Sequence, residues 1–267
     1  MRLDSQDSET TASRLQTIIA GEHRSKEDKA RDIYRHPLET LMFFGIHEHM
    51  TVVEVWPFVG WYSKIIAPLV KDKGRYIAAT FPPNNPTELL NQQRHEFIEL
   101  VENNRDVFGN PYIGSLGSGH YEFGDDGCAD MIITIRNLHN WMWDKGFHDR
   151  TPREPYYQDV LASFFRVLKP GGILAIEQHR GDPQKPQDTT ATKLYVRQDY
   201  AIRIIENAGF VLLGSSEINA NPRDTKDHPQ GPLSLSPFFF GITEEEKKRY
   251  AMIGESDRMT LKFLKPL

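Results

Sequence analysis

Three polar side chains follow the most apolar strand-like segment of the sequence and are the best candidates for chemistry. Segment 130–135 is apolar and β-branched, and Asn137, His139 and Asn140 come shortly after it. An imidazole with an ordinary pKa can remove a proton near neutral pH, and amides both donate and accept hydrogen bonds. His139 is therefore either a general base or a structural imidazole packed behind the sheet. Arg136 precedes these residues and either contacts an anionic acceptor or is a surface charge.

The four tryptophans of the chain also follow strand-like segments. They are, in two pairs, Trp56 and Trp61, then Trp141 and Trp143. The first pair follows the β-branched run at 51–55, and the second follows 130–135. If the two strands are neighbours, their carboxyl ends share one edge of the sheet and the indoles line a single cleft. Core filling is the alternative for any one of them.

Strand-like and helix-like segments alternate along the chain. The predicted strands are 51–55, 75–80, 111–116, 130–135, 173–177, 210–214 and 257–264. The predicted helices between them are 60–70, 88–103, 156–168 and 197–208. This alternation predicts an α/β fold with a seven-stranded, mostly parallel sheet and helices on both faces. Residues 1–45 read as an N-terminal helical extension, and residues 46–267 as one domain with loop insertions near 143–155 and 219–246.

Residues 51–63, TVVEVWPFVGWYS, carry a specific resemblance. They resemble the first motif of class I S-adenosylmethionine (SAM)-dependent methyltransferases, in which an acidic residue ends the first strand and a Gly-x-Gly-x-Gly loop follows. They are more similar still to an uncharacterised methyltransferase group whose loop reads Glu-x-Trp-Pro-x-x-Gly-Trp-Tyr. YRHP at 34–37, IRNLHNWM at 135–142 and LKPGG at 168–172 agree with that group. The likeness covers nearly the whole chain from about residue 28 and implies a Rossmann-like methyltransferase fold.

The resemblance also implies site residues. Glu54 takes the acidic position, where it would accept hydrogen bonds from loop amides or, through water, from the amino-acid end of the cofactor. The three glycine positions are Trp56, Phe58 and Gly60, so one glycine remains where the backbone must approach the cofactor closely. The remaining cofactor-binding candidates are Trp61, Tyr62, Thr80, Phe81 and Asn137, and the catalytic candidates are His139 and Asn137.

Two further positions depart from the class I pattern. Many of these enzymes grip both ribose hydroxyls with a carboxylate after the second strand, but this sequence has Thr80 and Phe81 there. A hydroxyl lacks the charge and the two acceptor oxygens of a carboxylate. The class also commonly places an acidic residue near the adenine after the third strand, and the segment 117–120 offers none.

Composition excludes several other classes of function. The net charge of −5 argues against a nucleic-acid partner, which normally requires a basic excess. Cys128 is the single cysteine, so an internal disulfide and a cysteine-rich metal site are excluded, and a reducing, cytoplasmic location is expected.

His47 and His49 precede the first strand without a nearby third ligand, and we predict no metal site. No apolar stretch is long enough to cross a membrane.

The sequence therefore predicts a SAM-dependent methyltransferase that acts on a small-molecule acceptor. The alternative is a methyltransferase-like protein whose degenerate loop no longer binds SAM and which serves as a binding or interaction module. Phe58 and the missing carboxylates favour that alternative. The acceptor and the oligomeric state are not specified by the sequence.

Overall fold

The structure, a computed structural model, describes residues 5–143 and 155–267. The strands in these ranges are β1 Thr51–Val55, β2 Arg75–Thr80, β3 Tyr112–Gly117, β4 His120–Glu122, β5 Ala129–Ile135, β6 Leu168–His179, β7 Val211–Ser216 and β8 Arg258–Leu264. The helices are α1 Ser5–Ala20, α2 Lys26–Ala30, α3 Asp32–Arg35, α4 Pro37–Phe44, α5 Ser63–Val70, α6 Glu88–Asn103, α7 Arg105–Phe108, α8 Leu138–Met142, α9 Tyr157–Val167, α10 Gln198–Asn207 and α11 Glu244–Ile253. A short 3-10 helix covers Gly231–Ser234.

The strands form one sheet in the order β4-β3-β2-β1-β5-β6-β8-β7. Strands β3, β2, β1, β5 and β6 are parallel, and β8 runs antiparallel between β6 and β7. The chain moves outward from β1 to β3 on one side and from β5 to β6 on the other. The strand order therefore reverses between β1 and β5, which is where open α/β sheets bind their ligands.

The central strands are buried on both faces, because helices cover each side of the sheet. Val53 and Val55 pack with α8, α9 and α10 in one layer. Val52 and Met131 pack in the opposite layer with α1, α4, α5, α6 and α7. Because successive side chains of a strand point to opposite faces of the sheet, Glu54 lies on the same face as Val52.

The predicted α/β fold is confirmed, but the count of seven strands is wrong, because eight are present among the described residues. The additional strand, β4, folds back on β3 through a turn at Gly119, whose φ of +71° suits glycine. This strand was not predicted, because three residues with polar side chains are too few to show the alternation of apolar and polar residues that indicates a strand.

The segment 169–172 forms part of β6 and is not a turn that precedes it. Gly171 donates its amide to the carbonyl of Lys265, and Lys265 donates its own amide to the carbonyl of Gly172. Pairing with the strand end at Lys265 therefore extends β6 across a sequence that alone favours a turn. The extension also shifts the register of β5 against β6 between Ala129 and Met131.

The predicted N-terminal extension is helical and packs on the sheet. Leu15 of α1 and Leu41 and Phe44 of α4 are fully buried in the layer above β1. The predicted 219–246 insertion contains the 3-10 helix and the first turn of α11. Most of the predicted 143–155 insertion lies outside the described residues.

Candidate active site

The turn after β1, residues 56–62, follows an unusual backbone path. Trp56, Phe58 and Gly60 have φ of 48°, 51° and 74°. The left-handed region suits glycine and costs other residues about 1–2 kcal/mol each. The turn therefore keeps the alternating conformation of a glycine-rich loop, although two of its three glycine positions carry aromatic side chains. Strained backbone conformations of this kind are found most often at functional sites.

An aromatic cluster of Trp56, Phe58, Phe81 and Trp141 lies at the carboxyl ends of the central strands. The Trp56 ring packs against Phe81 with 4.7 Å between centroids and meets the edge of Trp141 at 5.8 Å. Phe58 meets Phe81 at 5.5 Å. The Trp56 Nε1 donates a hydrogen bond of 2.9 Å to the backbone oxygen of Leu116. Of these rings only Phe58 is partly exposed, so the cluster fills much of the crevice.

Trp61 lies in the opposite layer, so the prediction that all four indoles line one cleft is wrong. The guanidinium groups of Arg24 and Arg35 lie 5.0 Å and 4.5 Å from its ring centroid. Its Nε1 donates to the carbonyl of Asp28 at 3.1 Å. Trp61 lies in this layer because the chain crosses to the α5 face of the sheet after the turn at Gly60. Trp61 therefore fixes the N-terminal helices to the domain.

Tyr62 is buried beside Trp61. Its hydroxyl lies 3.3 Å from the carbonyl of Arg35 and 3.4 Å from Glu177 Oε2. Burial and the Glu177 charge raise the pKa of Tyr62 well above its ordinary value, so the phenol stays protonated. Tyr62 thus connects the turn after β1 to polar groups at the end of β6.

Glu54 binds two hydroxyl groups. Its Oε2 accepts hydrogen bonds from Ser63 Oγ at 2.7 Å and from Tyr76 OH at 2.6 Å. Burial raises the pKa of Glu54 to about 7, although both hydrogen bonds act in the opposite direction. These contacts tie the start of α5 to β2. They differ from the predicted contacts with loop amides.

Thr80, at the end of β2, lies beside an arginine. Its hydroxyl donates to the carbonyl of Gly114 at 2.9 Å. The guanidinium of Arg94 donates to the Thr80 hydroxyl and, at 2.9 Å, to the carbonyl of Phe81. A cation therefore stands near the position where class I enzymes commonly place a carboxylate. The sequence offered no sign of this, because Arg94 comes from the middle of α6.

Asn137 spans the crevice between β5 and β1. Its Nδ2 donates to the carbonyl of Val55 at 2.9 Å and to Thr134 Oγ1 at 3.2 Å. Its Oδ1 is buried and has no hydrogen-bond partner among the described residues, and the same holds for Trp141 Nε1. A buried polar atom without a partner costs about 1–3 kcal/mol. The structure thus presents one free acceptor and one free donor beside the switch point.

His139 is buried behind Asn137. Its Nδ1 lies 3.0 Å from Gln178 Nε2, and its ring centroid is 5.4 Å from that of His179. Burial lowers the pKa of His139 to about 3, and the charge of Arg136 acts in the same direction. The expectation of an ordinary pKa is therefore wrong. His139 is a neutral imidazole at physiological pH and a weak base.

A second cluster, missed by sequence reasoning, surrounds Glu255 just before β8. It consists of four arginines, called here the arginine cluster: Arg31, Arg35, Arg136 and Arg258. Their nitrogens lie 2.7, 3.3, 3.9 and 3.1 Å from the Glu255 carboxylate, in that order. Burial alone would raise the pKa of Glu255, but the arginine charges lower it well below its usual range. The sequence signal was slight, because Arg31 and Glu255 are 224 positions apart.

The described residues contain no group of three or more His, Cys, Asp or Glu side chains that could hold a metal ion. His47 and His49 lie close together, with ring centroids 6.3 Å apart, but on the edge that precedes β1. In the described part of the chain no helix is both long and apolar enough to span a bilayer.

No protein-family model and no curated protein matches the chain. Solved structures do share its fold. A SAM-dependent methyltransferase from Aquifex aeolicus is 17% identical, with 99% of this chain and 100% of that one covered and a TM-score of 0.55. A geranyl diphosphate methyltransferase in complex with SAM is 11% identical, with 94% of each chain covered and a TM-score of 0.55. The [4+2]-cyclase SpnF is 13% identical, with 96% and 93% covered and a TM-score of 0.57.

These similarities, together with the strand order, define the class of the fold. The chain has the Rossmann-like fold of class I SAM-dependent methyltransferases, with eight strands in its sheet among the described residues. The cyclase shows that this fold is not confined to proteins described as methyltransferases.

Proposed function

We propose that this protein is a SAM-dependent methyltransferase that acts on a small-molecule acceptor. The observation that carries the proposal is the backbone of the turn after β1. Trp56, Phe58 and Gly60 alternate in the left-handed region at the point where the strand order reverses. A strained turn that served only to connect β1 to α5 would have no reason to keep this path.

The buried polar atoms of the crevice fit such a cofactor. SAM carries amino, carboxylate and hydroxyl groups, and Asn137 Oδ1 and Trp141 Nε1 are an acceptor and a donor without partners among the described residues. We propose that Asn137, Gly60 and the aromatic residues Trp56 and Phe81 hold the cofactor, and that the predicted cofactor-binding residue Phe58 obstructs its entry. When bound, SAM supplies an electrophilic methyl group to a nucleophile of the acceptor. Since the aromatic cluster fills the crevice, Phe58, its one partly exposed ring, must move for the ligand to enter.

The other predicted site residues have supporting roles in this proposal. Glu54 and Thr80 fix the ends of β1 and β2, while Trp61 and Tyr62 fix the far end of the turn. His139 faces the acceptor side as a neutral imidazole. Methyl transfer depends mainly on alignment, so a hydrogen bond that orients the acceptor suits His139 better than proton removal.

The acidic net charge supports a small-molecule acceptor over a nucleic acid. The single cysteine, Cys128, supports action in the cytoplasm.

Calorimetric titration with S-adenosylhomocysteine, the product form of the cofactor, tests the proposal. We expect one binding site per chain in the unmodified protein and weaker binding in Asn137→Ala. The matched control is Asn103→Ala, at an exposed asparagine in the last turn of α6. No binding to the unmodified protein at millimolar ligand would reject the proposal. Equal binding by both variants would remove Asn137 from the site.

One observation favours a second candidate function. The Trp56 ring is 7% exposed and packs on Phe81 and Trp141 in the space along β1, β2 and β3, where the resemblance puts the adenosine. A protein that has lost the cofactor and works as a binding module would show such a filled crevice. The same titration separates the two candidates.

A further inference from the structure

Arg136 stands directly after β5 and has an unusual backbone conformation. Its φ is 61°, in the left-handed region that costs a non-glycine residue energy. Its amide donates to the carbonyl of Glu177 at 2.7 Å, which fixes the backbone at the end of β6. The residue therefore has a strained backbone held in place by the neighbouring strand.

The guanidinium of Arg136 has no hydrogen-bond acceptor among the described residues. Its nearest ion-pair contact is Glu255 Oε2 at 3.9 Å, beyond hydrogen-bonding distance, and 21% of the side chain is exposed. By contrast, Arg24 binds Asp32 with both terminal nitrogens, at 2.9 and 2.7 Å. A guanidinium presents five donors in a fixed planar arrangement. Those of Arg136 are available to a ligand.

These donors face a small cavity of about 20 Å³, enough for roughly one water molecule. Arg136, His179, Glu255 and Ser256 line its inner side. Pro232, Leu233, Ser236 and Phe238, from the segment before α11, line the outer side. The Phe238 side chain is 59% exposed, so the cavity lies close to solvent. It has room for one oxygen atom of an ionic group, and the rest of that group and of the ligand must extend outward.

Positive charge exceeds negative charge around this cavity. The four arginines of the cluster pair with Glu255, and Arg258 pairs also with Glu177, so four positive minus two negative charges leave a surplus of two within this set. The surplus affects Arg35, because burial and then the Arg136 charge lower its pKa to about 9. Buried charge without a counterion is costly. An anion in the cavity would balance part of this surplus.

A buried hydroxyl completes the site. Ser256 Oγ lies 2.6 Å from His179 Nδ1, which fixes the hydroxyl at the cavity wall. Burial lowers the pKa of His179 well below its ordinary value, so the ring is neutral and adds no charge. The His179 ring also contacts that of His139, the residue proposed to face the acceptor.

We propose that Arg136 and Ser256 bind an oxyanion group, a carboxylate or a phosphate, on the acceptor molecule. Arg136 would bind two oxygens of the group side by side. Ser256 would accept a hydrogen bond from the protonated Nδ1 of the neutral His179 ring and donate its own proton to the oxygen that enters the cavity. The assignment of this anion to the methyl acceptor rests on the proposed function, whereas the anion site itself does not. Arg136 is then a specificity-determining residue.

Equilibrium dialysis with radiolabelled inorganic phosphate, and separately with radiolabelled acetate, tests the site. We expect one bound anion per chain in the unmodified protein and about tenfold or greater loss of affinity in Arg136→Gln. Arg136→Lys keeps the charge but not the planar arrangement of donors, and we expect intermediate affinity. The matched control is Arg203→Gln, at an exposed arginine over Tyr200, which should bind as the unmodified protein does.

Each outcome decides the proposal. Binding of phosphate alone supports a phosphorylated acceptor, and binding of acetate alone supports a carboxylate. No binding of either anion, or equal binding by Arg136→Gln, overturns the anion site. The assay contains no SAM, so anion binding without S-adenosylhomocysteine binding would reject the methyltransferase proposal and leave the anion site intact.

Chemical modification keeps the test decisive if Arg136→Gln fails to fold. In the unmodified protein, phenylglyoxal should modify Arg136 more slowly when phosphate or acetate is present, as measured by peptide mass spectrometry. The rate at Arg203 should not change. Equal rates at Arg136 with and without either anion would overturn the proposal.

Discussion

The indole of Trp56, at the end of β1, donates a hydrogen bond of 2.9 Å to the backbone oxygen of Leu116 near the end of β3. One side chain thus crosses the carboxyl end of β2, which lies between these two strands. Any ligand at this edge must share the space with the indole or displace it. The properties of the turn after β1 therefore decide whether the crevice can bind a cofactor.

Phe58→Gly should strengthen the binding of S-adenosylhomocysteine by about tenfold, since removal of the ring opens the crevice and the ligand no longer has to displace it. Calorimetry measures the change. Val59→Gly is the matched control, because Val59 is 69% exposed and does not have a positive φ. Weaker binding in Phe58→Gly would show instead that the Phe58 ring is part of the binding surface.

Glu54→Gln should remove a pH dependence of stability. The pKa of Glu54 is raised from 4.5 to about 7, so the folded state holds this proton more tightly than the unfolded state. Its stabilising effect is complete below pH 4.5 and is lost as the pH rises through 7. The loss is roughly 3 kcal/mol, and the amide, which cannot ionise, avoids it.

Urea denaturation of the unmodified protein and of Glu54→Gln, at about pH 5 and about pH 8, measures this difference. We expect the variant to gain stability relative to the unmodified protein at the higher pH, because the oxygen of the introduced amide can still accept from Ser63 and Tyr76. A constant difference between the two proteins across the pH range would contradict the raised pKa.

His139→Gln should reduce the sensitivity of the protein to acid. The pKa of His139 is lowered from 6.5 to about 3, so the buried imidazole resists protonation in the folded state. Its contribution to stability is present above pH 6.5 and is lost as the pH falls toward 3. The slope of the unfolding free energy against pH should therefore be smaller in the variant. The decrease corresponds to up to one proton fewer bound on unfolding. Exposed His95, changed to Gln, provides the control, and a similar flattening in both variants would contradict the assignment.

Trp61→Leu should loosen the N-terminal helices and lower the unfolding free energy by roughly 3 kcal/mol, because it removes buried ring area and the contacts with Arg24 and Arg35. Hydrogen exchange should rise in α1 to α4 before it rises in the sheet. Tyr112→Leu also removes a contact with an arginine, but on a 43% exposed ring, and should have a much smaller effect. Unchanged exchange in α1 to α4 would show that Trp61 does not fix the extension.

The positions of the main strands could be predicted because each is a short apolar or β-branched run between turn-forming residues. Strand β5, predicted at 130–135 and found at Ala129–Ile135, is an example. Strand β4 could not be predicted, because its three polar residues pair with β3 only after the chain has turned at Gly119. The proline and glycines of 169–172 favour a turn, but this segment is part of β6 because it pairs with Lys265, which lies almost a hundred residues away.

The sequence by itself determined the fold class and the residues of the turn after β1, whereas the strand order of the structure located the switch point between β1 and β5. Local patterns carry that information, because strand burial and turn chemistry depend on near neighbours. Only the tertiary structure placed Trp56 and Trp61 in opposite layers and brought Arg31, Arg136 and Glu255 together. Such contacts depend on how distant segments pack around the sheet, and no local pattern in the sequence records that packing.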